Sequence, residues 1–146
     1  MDSMMKTNTA KSAKTGLVEN YRDLNVYKAA FEFQQALFKV SKGFPKEEMY
    51  SLTDQMRRSS RSVGASIAES WSKRRYQAHF LSKLTDADSE LQETLHWLRT
   101  ALACEYLSKK DSIKLADQAA DIGKMLGSMI SNHLQFCTHQ TASRRR

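Results

Sequence analysis

Four stretches of this chain repeat apolar side chains in alternating steps of three and four, the spacing that puts one stripe on each of four helices and obliges those helices to pack together. Val26, Ala30, Phe33, Leu37, Val40 and Phe44 form the first stripe, closed by Gly43 and Pro45. The second begins after that turn, around Glu47, and carries Leu52, Met56, Val63 and Ile67 before dissolving near Ser72. Within it Gly64 weakens the helix by roughly 1 kcal/mol relative to alanine, which suits a close approach of a neighbour. Phe80, Leu84, Ala87, Leu91, Leu95, Leu98 and Leu102 place the third and longest helix over 76–106. Ser108 then reads as an N-cap, with Asp111 three residues on in a variant of the capping box. Leu115, Ala119, Ile122, Leu126, Met129, His133 and Phe136 make the fourth stripe.

One proline and five glycines in 146 residues leave little for a β architecture with many turns. A chain this long buries about 68–70% of its extended surface as one domain, enough for an independent core. The economical solution is an all-α fold, an antiparallel up-down-up-down four-helix bundle with crossing angles near about 20°. Residues 1–20 are polar and unpatterned and read as a flexible arm, 21–136 as the bundle, and 137–146 as a basic tail closing in Arg144, Arg145 and Arg146.

The net charge of +7 is uneven: residues 46–76 carry +3, residues 77–107 carry −3, and residues 57–75 alone carry +5. On a helical wheel Arg57, Arg58 and Arg61 point away from the Met56, Val63 and Ile67 face. Such a density favours polyanions, although the same pattern also describes a solvated helix face. Glu69 lies at nearly the angle of Arg58, so Arg57, Arg58 and Arg61 are open both to contacts between subunits and to a ligand. Lys73, Arg74 and Arg75 fall in a turn, where a ligand reaches more easily.

Little else in the chain points to chemistry. Cys104 and Cys137 are far apart and build no metal cage, and reduced thiols suit a cytoplasmic protein. The N-terminal stretch lacks the apolar core of a signal peptide, and no run approaches the roughly 18 apolar residues of a membrane span. Glu93 and His96 make a single Glu-x-x-His pair, whereas a di-iron bundle needs two such pairs with further inward carboxylates. Glu93 sits two residues past Leu91 and is expected to point outward; His133, on the apolar stripe, is expected to be a hydrogen-bonded core residue, and His79 and His139 show no ligand spacing. Ser59, Ser60, Ser62 and Ser66 lie among arginines without an activating base, and small hydroxyls at tight helix contacts account for them. No phosphate loop or nucleophile elbow occurs, so neither catalysis nor a cofactor is expected. Trp71 and Trp97 suit stacking on bases and, equally, packing at helix seams.

The segments DLNVYKAA at 23–30, FPKEEMYSLTDQMRRSSRS at 44–62, SIAES at 66–70 and KLTDADSELQETLHWL at 83–98 resemble the bacterial four helix bundle protein family, also called the intervening-sequence protein of large-subunit ribosomal RNA genes. The resemblance covers residues 21–132. It implies a bundle that assembles into a ring-like homopentamer with a basic surface and no enzymatic activity. Related bundles include the accessory variability proteins of diversity-generating retroelements, which assist a reverse transcriptase and bind nucleic acid. The chain departs from many members at Gly64 and Ser66, where they carry proline and asparagine, at Ser70, where they carry glycine, and at Arg61, where they carry an aliphatic residue. Five copies of +7 give +35, a density that has to be neutralised. The expectation is therefore a non-catalytic, oligomeric nucleic-acid-binding protein that contacts the backbone of RNA or DNA through Arg57, Arg58, Arg61, Lys73, Arg74 and Arg75, with little sequence preference, and that is an accessory either to RNA or to a reverse transcriptase, two roles between which the sequence does not choose. The alternative is a protein-interaction scaffold that recruits an acidic partner protein without nucleic acid.

Overall fold

Asn20 accepts the Arg22 backbone N–H on its side chain and opens a single 3₁₀ turn, Tyr21–Asp23, from which the first helix, α1 (Asn25–Ser41), starts. The computed structural model describes residues 18–138. The arm expected over 1–20 therefore lies outside the described residues except for its last three, and the tail expected over 137–146 except for Cys137 and Thr138. Val18 packs against the core and the Glu19 carbonyl accepts the Trp71 indole N–H at 3.4 Å, so residues placed with the arm run along the bundle.

Pro45 ends the first connection, and a 3₁₀ turn (Lys46–Glu48) and a π-helical turn (Met49–Thr53) wind into α2 (Asp54–Ser72). The remaining helices are α3 (Gln77–Ala103) and α4 (Lys109–Ser131), with a last 3₁₀ turn at His133–Phe136. Each helix packs on its neighbours in sequence, and α4 closes back on α1. With short connections that order is the antiparallel up-down-up-down bundle, and the described residues contain no strand. Phe33, Leu37, Met56, Ile67, Phe80, Leu84, Leu91, Ile122 and Leu126 are fully buried along its axis.

On α3 the buried face runs Phe80, Leu84, Ala87, Leu91, Thr94, Leu98, Ala101. The expected stripe put Leu95 and Leu102 in the last two turns; instead Leu95 is half-buried and Leu102 is 38% exposed. The reason is length. Over 27 residues a seam that keeps meeting α2 and α4 must recur about every 3.5 residues, a strict four-three alternation that selects Thr94 and Ala101 whatever their polarity. Thr94 is accommodated because its Oγ1 lies 2.8 Å from both the Glu90 carbonyl and Ser59 Oγ. Ser59 and Ser60, both buried, return their hydroxyls to the Met56 and Arg57 carbonyls at 3.3 and 3.1 Å. The serines thus keep α2 narrow without leaving orphaned hydroxyls.

Gly64 is buried, yet a methyl added there would meet the Tyr27 ring at 3.6 Å and Gln34 Oε1 at 3.7 Å, ordinary contact distances. The close approach expected from sequence does not require glycine. Gly64→Ala is expected to raise the unfolding free energy by about 0.5–1 kcal/mol, the helix-propensity gain, in urea denaturation.

α3 ends in a Schellman motif: Tyr106 N–H bonds the Ala101 carbonyl at 2.9 Å and Glu105 N–H the Leu102 carbonyl at 3.0 Å. The left-handed position is held by Glu105, φ 62°, where glycine is usual, so no glycine marks the end of this helix in the sequence. Glu105→Gly is expected to stabilise the protein by about 1 kcal/mol, measured by thermal or urea unfolding. Ser108 caps α4 as the spacing predicts, its Oγ accepting from the Asp111 N–H at 3.1 Å. α4 stops at Ser131, short of the expected stripe, and His133 is half-buried at its end, with Nδ1 2.8 Å from the Ile130 carbonyl and Nε2 3.3 Å from Gln77 Nε2.

Candidate functional site

The outward face of α2 begins the basic surface. Asp54, Gln55, Arg57, Arg58, Arg61, Ser62 and Ala65 line an open groove of about 700 Å³. Arg57 and Arg61 lean across to α1, where their guanidinium groups lie 4.8 and 5.3 Å from the Phe38 ring centre, and Lys42 Nζ approaches the same ring at 4.8 Å. The electron-rich face of one aromatic ring draws three cations together despite their mutual repulsion. Arg57 Nε also donates to Ser41 Oγ at 2.8 Å.

Arg58 points the other way, toward α3. It is ion-paired with Glu93 and has Nη1 3.6 Å from Glu90, while Trp97 Nε1 donates to the same Glu93 oxygen at 3.3 Å. Glu93, expected to face outward, is half-buried in this cluster. Glu69 does not meet Arg58 within the chain: it takes Lys83 Nζ at 2.8 Å, and that hydrogen bond is the main cause holding the Lys83 pKa above the ordinary lysine value. The helical wheel put Glu69 near Arg58 in angle, but they are three turns apart along the helix, and α3 offers each its own partner, Glu90 and Glu93 to Arg58 and Lys83 to Glu69.

The second basic cluster occupies the turn from α2 to α3. Lys73 N–H closes the helix on the Ser70 carbonyl at 2.9 Å, and the side chains of Lys73 and Arg75 are exposed. Arg74 is half-buried, with its guanidinium 3.7 Å over the Trp71 ring and Nε donating to the Trp71 carbonyl at 3.0 Å. Burial lowers the Arg74 pKa from the usual arginine value; burial likewise raises that of the Cys137 thiol, against a smaller opposing pull from the Arg74 charge. Beneath them the rings of Trp71 and Phe136 meet edge-on at 6.3 Å, and Phe136 lies 6.2 Å from Phe80. Thr138 N–H bonds the Arg74 carbonyl at 3.2 Å.

Of the six cations singled out by sequence, the structure divides three on the α2 face from three in the turn. Among the described residues only Arg58 of the six has a carboxylate partner; Arg57, Arg61, Lys73, Arg74 and Arg75 have none. Sequence reasoning missed Phe38 as the seat of Arg57 and Arg61, and missed Glu90 and Glu93 as partners of Arg58. The second was signalled by the +3 and −3 blocks on consecutive helices. Among the described residues no group of three or more His, Cys, Asp and Glu can hold a metal, and no helix is long and apolar enough to cross a membrane. Cys104 and Cys137 are both free thiols.

A family model described as 23S rRNA-intervening sequence protein matches residues 22–128. Among solved structures, the chain is similar to a protein of unknown function from the S23 ribosomal protein family of Bacteroides thetaiotaomicron, at 27% identity and a TM-score of 0.66, covering 73% of this chain and 95% of that one. No curated protein matches.

Proposed function

The chain belongs to the 23S rRNA-intervening sequence protein family, and from that premise we propose that it is a non-catalytic, oligomeric accessory protein that binds RNA or DNA by its phosphate backbone. What carries this reading is the state of the cations: five of six, two on the outward face of α2 and three in its turn, have no carboxylate partner among the described residues. Cations left unpaired at this density gain by meeting phosphates, because binding releases condensed counterions. The family description, which names a ribosomal RNA intervening sequence, supports a nucleic acid over other polyanions. Arg57 and Arg61, held on Phe38, and Lys73, Arg74 and Arg75 in the turn are the contacts in this reading. Arg58, neutralised by Glu90 and Glu93, ties α2 to α3 and is the weakest member of the set.

The oligomer in this reading is a cytoplasmic homopentamer, which multiplies the shallow grooves into a continuous basic rim, and the accessory role is assistance to a reverse transcriptase. Light scattering of the purified protein tests the pentamer: a monomeric mass at micromolar concentration removes it. Binding is tested by fluorescence anisotropy with labelled RNA and DNA across sodium chloride. The expected result is a log–log slope of magnitude about 2 or more, since each contact contributes about 0.7–0.9. Absence of binding at low salt overturns the reading. Polyglutamate of equal charge bound as tightly as RNA overturns it in favour of an acidic-protein scaffold.

A further inference from the structure

Resting on the reading of Arg57 and Arg61 as phosphate contacts, we infer that these two arginines and Lys42, gathered on the Phe38 ring, form one site for a doubly charged phosphate. Its ligand is a strand's terminal phosphate or a pyrophosphate group, in preference to the singly charged phosphodiesters between nucleotides. The observation is convergence. Two helices bring the Lys42 ammonium and the Arg57 and Arg61 guanidinium groups to 4.8, 4.8 and 5.3 Å from a single ring centre. None of the three has a carboxylate partner among the described residues, and Asp54 is the one acid lining the groove that Arg57 and Arg61 share. The ring attracts cations through its quadrupole but carries no net charge, so it assembles three positive charges without cancelling any. The other ring with a cation over it among the described residues, Trp71, holds Arg74 alone.

The site is set before a ligand arrives. Buried Ser41 donates its hydroxyl to the Phe38 carbonyl at 2.8 Å and accepts Arg57 Nε at 2.8 Å. That bond fixes the guanidinium of Arg57 and leaves its Nη hydrogens without a partner among the described residues. Lys42 follows Phe38 by one turn, and Arg61 follows Arg57 by one turn of α2, so helix geometry sets the spacing of the cations. Arg61 and Lys42 are exposed and Arg57 is half-buried, so an anion reaches all three. Guanidinium forks match phosphate oxygens two at a time, and the ammonium adds a point charge. The charge of the ligand follows from theirs. An internal phosphodiester brings one negative charge to three positive ones. A terminal phosphate, with a second pKa near about 6, brings nearly two at neutral pH, and the attraction grows in proportion. The turn offers no such convergence, because Arg74 is committed to Trp71 and no ring gathers Lys73 and Arg75.

The test uses the full chain and one RNA oligonucleotide, labelled at its 3′ end and carrying either a 5′-phosphate or a 5′-hydroxyl. Anisotropy gives the ratio of the two affinities, and calorimetry with sodium pyrophosphate reports the free ligand. Wild type is expected to favour the phosphorylated strand by about tenfold, the effect of one added charged hydrogen-bonding group. The double variant Lys42→Gln, Arg61→Gln changes two exposed side chains and leaves the Arg57, Ser41 and Phe38 bonds in place; circular dichroism reports that its helices are intact. It is expected to bring the ratio to about one and to weaken pyrophosphate binding about tenfold or more. The double variant Lys73→Gln, Arg75→Gln is expected to weaken both strands alike and keep the ratio. Equal affinity of wild type for the two strands overturns the site and leaves the nucleic-acid reading standing. A preference that survives in the Lys42→Gln, Arg61→Gln variant also overturns it, since the end is then read elsewhere. Pyrophosphate bound with neither strand bound ends the nucleic-acid reading and assigns the site to a free ligand. Wild type that binds neither strand nor pyrophosphate ends both.

Discussion

Phe80→Ala is expected to destabilise the protein by about 3–5 kcal/mol, which for a domain holding about 5–15 kcal/mol is much of its stability. Phe80 is fully buried in the first turn of α3, with its ring against Phe136. Two costs add: the transfer free energy of the lost ring and the cavity left where it stood. The cavity has little means of closing. Phe136 is held against Trp71, and Trp71 is fixed by its indole bond to Glu19 and by Arg74 stacked on its face. Urea denaturation followed by circular dichroism measures the loss, and Leu102→Ala, at a site 38% exposed, is the comparison, expected within about 0.5 kcal/mol of wild type. A Phe80→Ala variant as stable as Leu102→Ala would mean that this end of the bundle is not packed as described.

Changing Lys73, Arg74 and Arg75 to glutamate is expected to weaken nucleic-acid binding on the order of 10²–10³-fold at about 0.1 M salt, through the loss of three phosphate contacts and the repulsion that replaces them. The salt slope should fall by about 2 in the same experiment. Arg74 has a second duty, since its guanidinium covers Trp71, and losing that contact costs about 0.5–2 kcal/mol of stability. The double variant Lys73→Glu, Arg75→Glu leaves that contact in place, so it is expected to keep wild-type melting while losing at least tenfold in affinity. If the double variant binds as wild type does, the turn is not the contact.

Much of the bundle was legible because amphipathic spacing is a property of a segment by itself. Leu91 is followed on the buried seam by Thr94, however, because helix–helix contact selects a position before it selects a residue type. Glu105 hides the end of α3 for a related reason: tertiary packing holds a residue in a left-handed conformation that its own preference disfavours. The basic surface was legible as composition and not as pairing. Arg57, Arg58 and Arg61 look alike on a wheel, yet Arg58 is claimed by carboxylates of the next helix and the other two by a ring of the preceding one. Those partners are 19 to 35 residues away, from Arg57–Phe38 to Arg58–Glu93, a distance that only the antiparallel turns bridge.

The bonds from Trp71 to Glu19 and from Thr138 to Arg74 fasten both ends of the described residues to the end of α2 and the turn that follows it. The four helices are thereby arranged almost as a closed loop of chain, and the fold is a natural candidate for circular permutation. Joining position 138 to position 18 by a short linker and opening the chain before Ser108 would preserve every helix pair. Only the entropy of closure would be redistributed: the α1–α4 seam, now formed across most of the chain, would become a local contact, and α3–α4 would become the distant one. The architecture is indifferent to where its ends are cut; the route by which it folds is not.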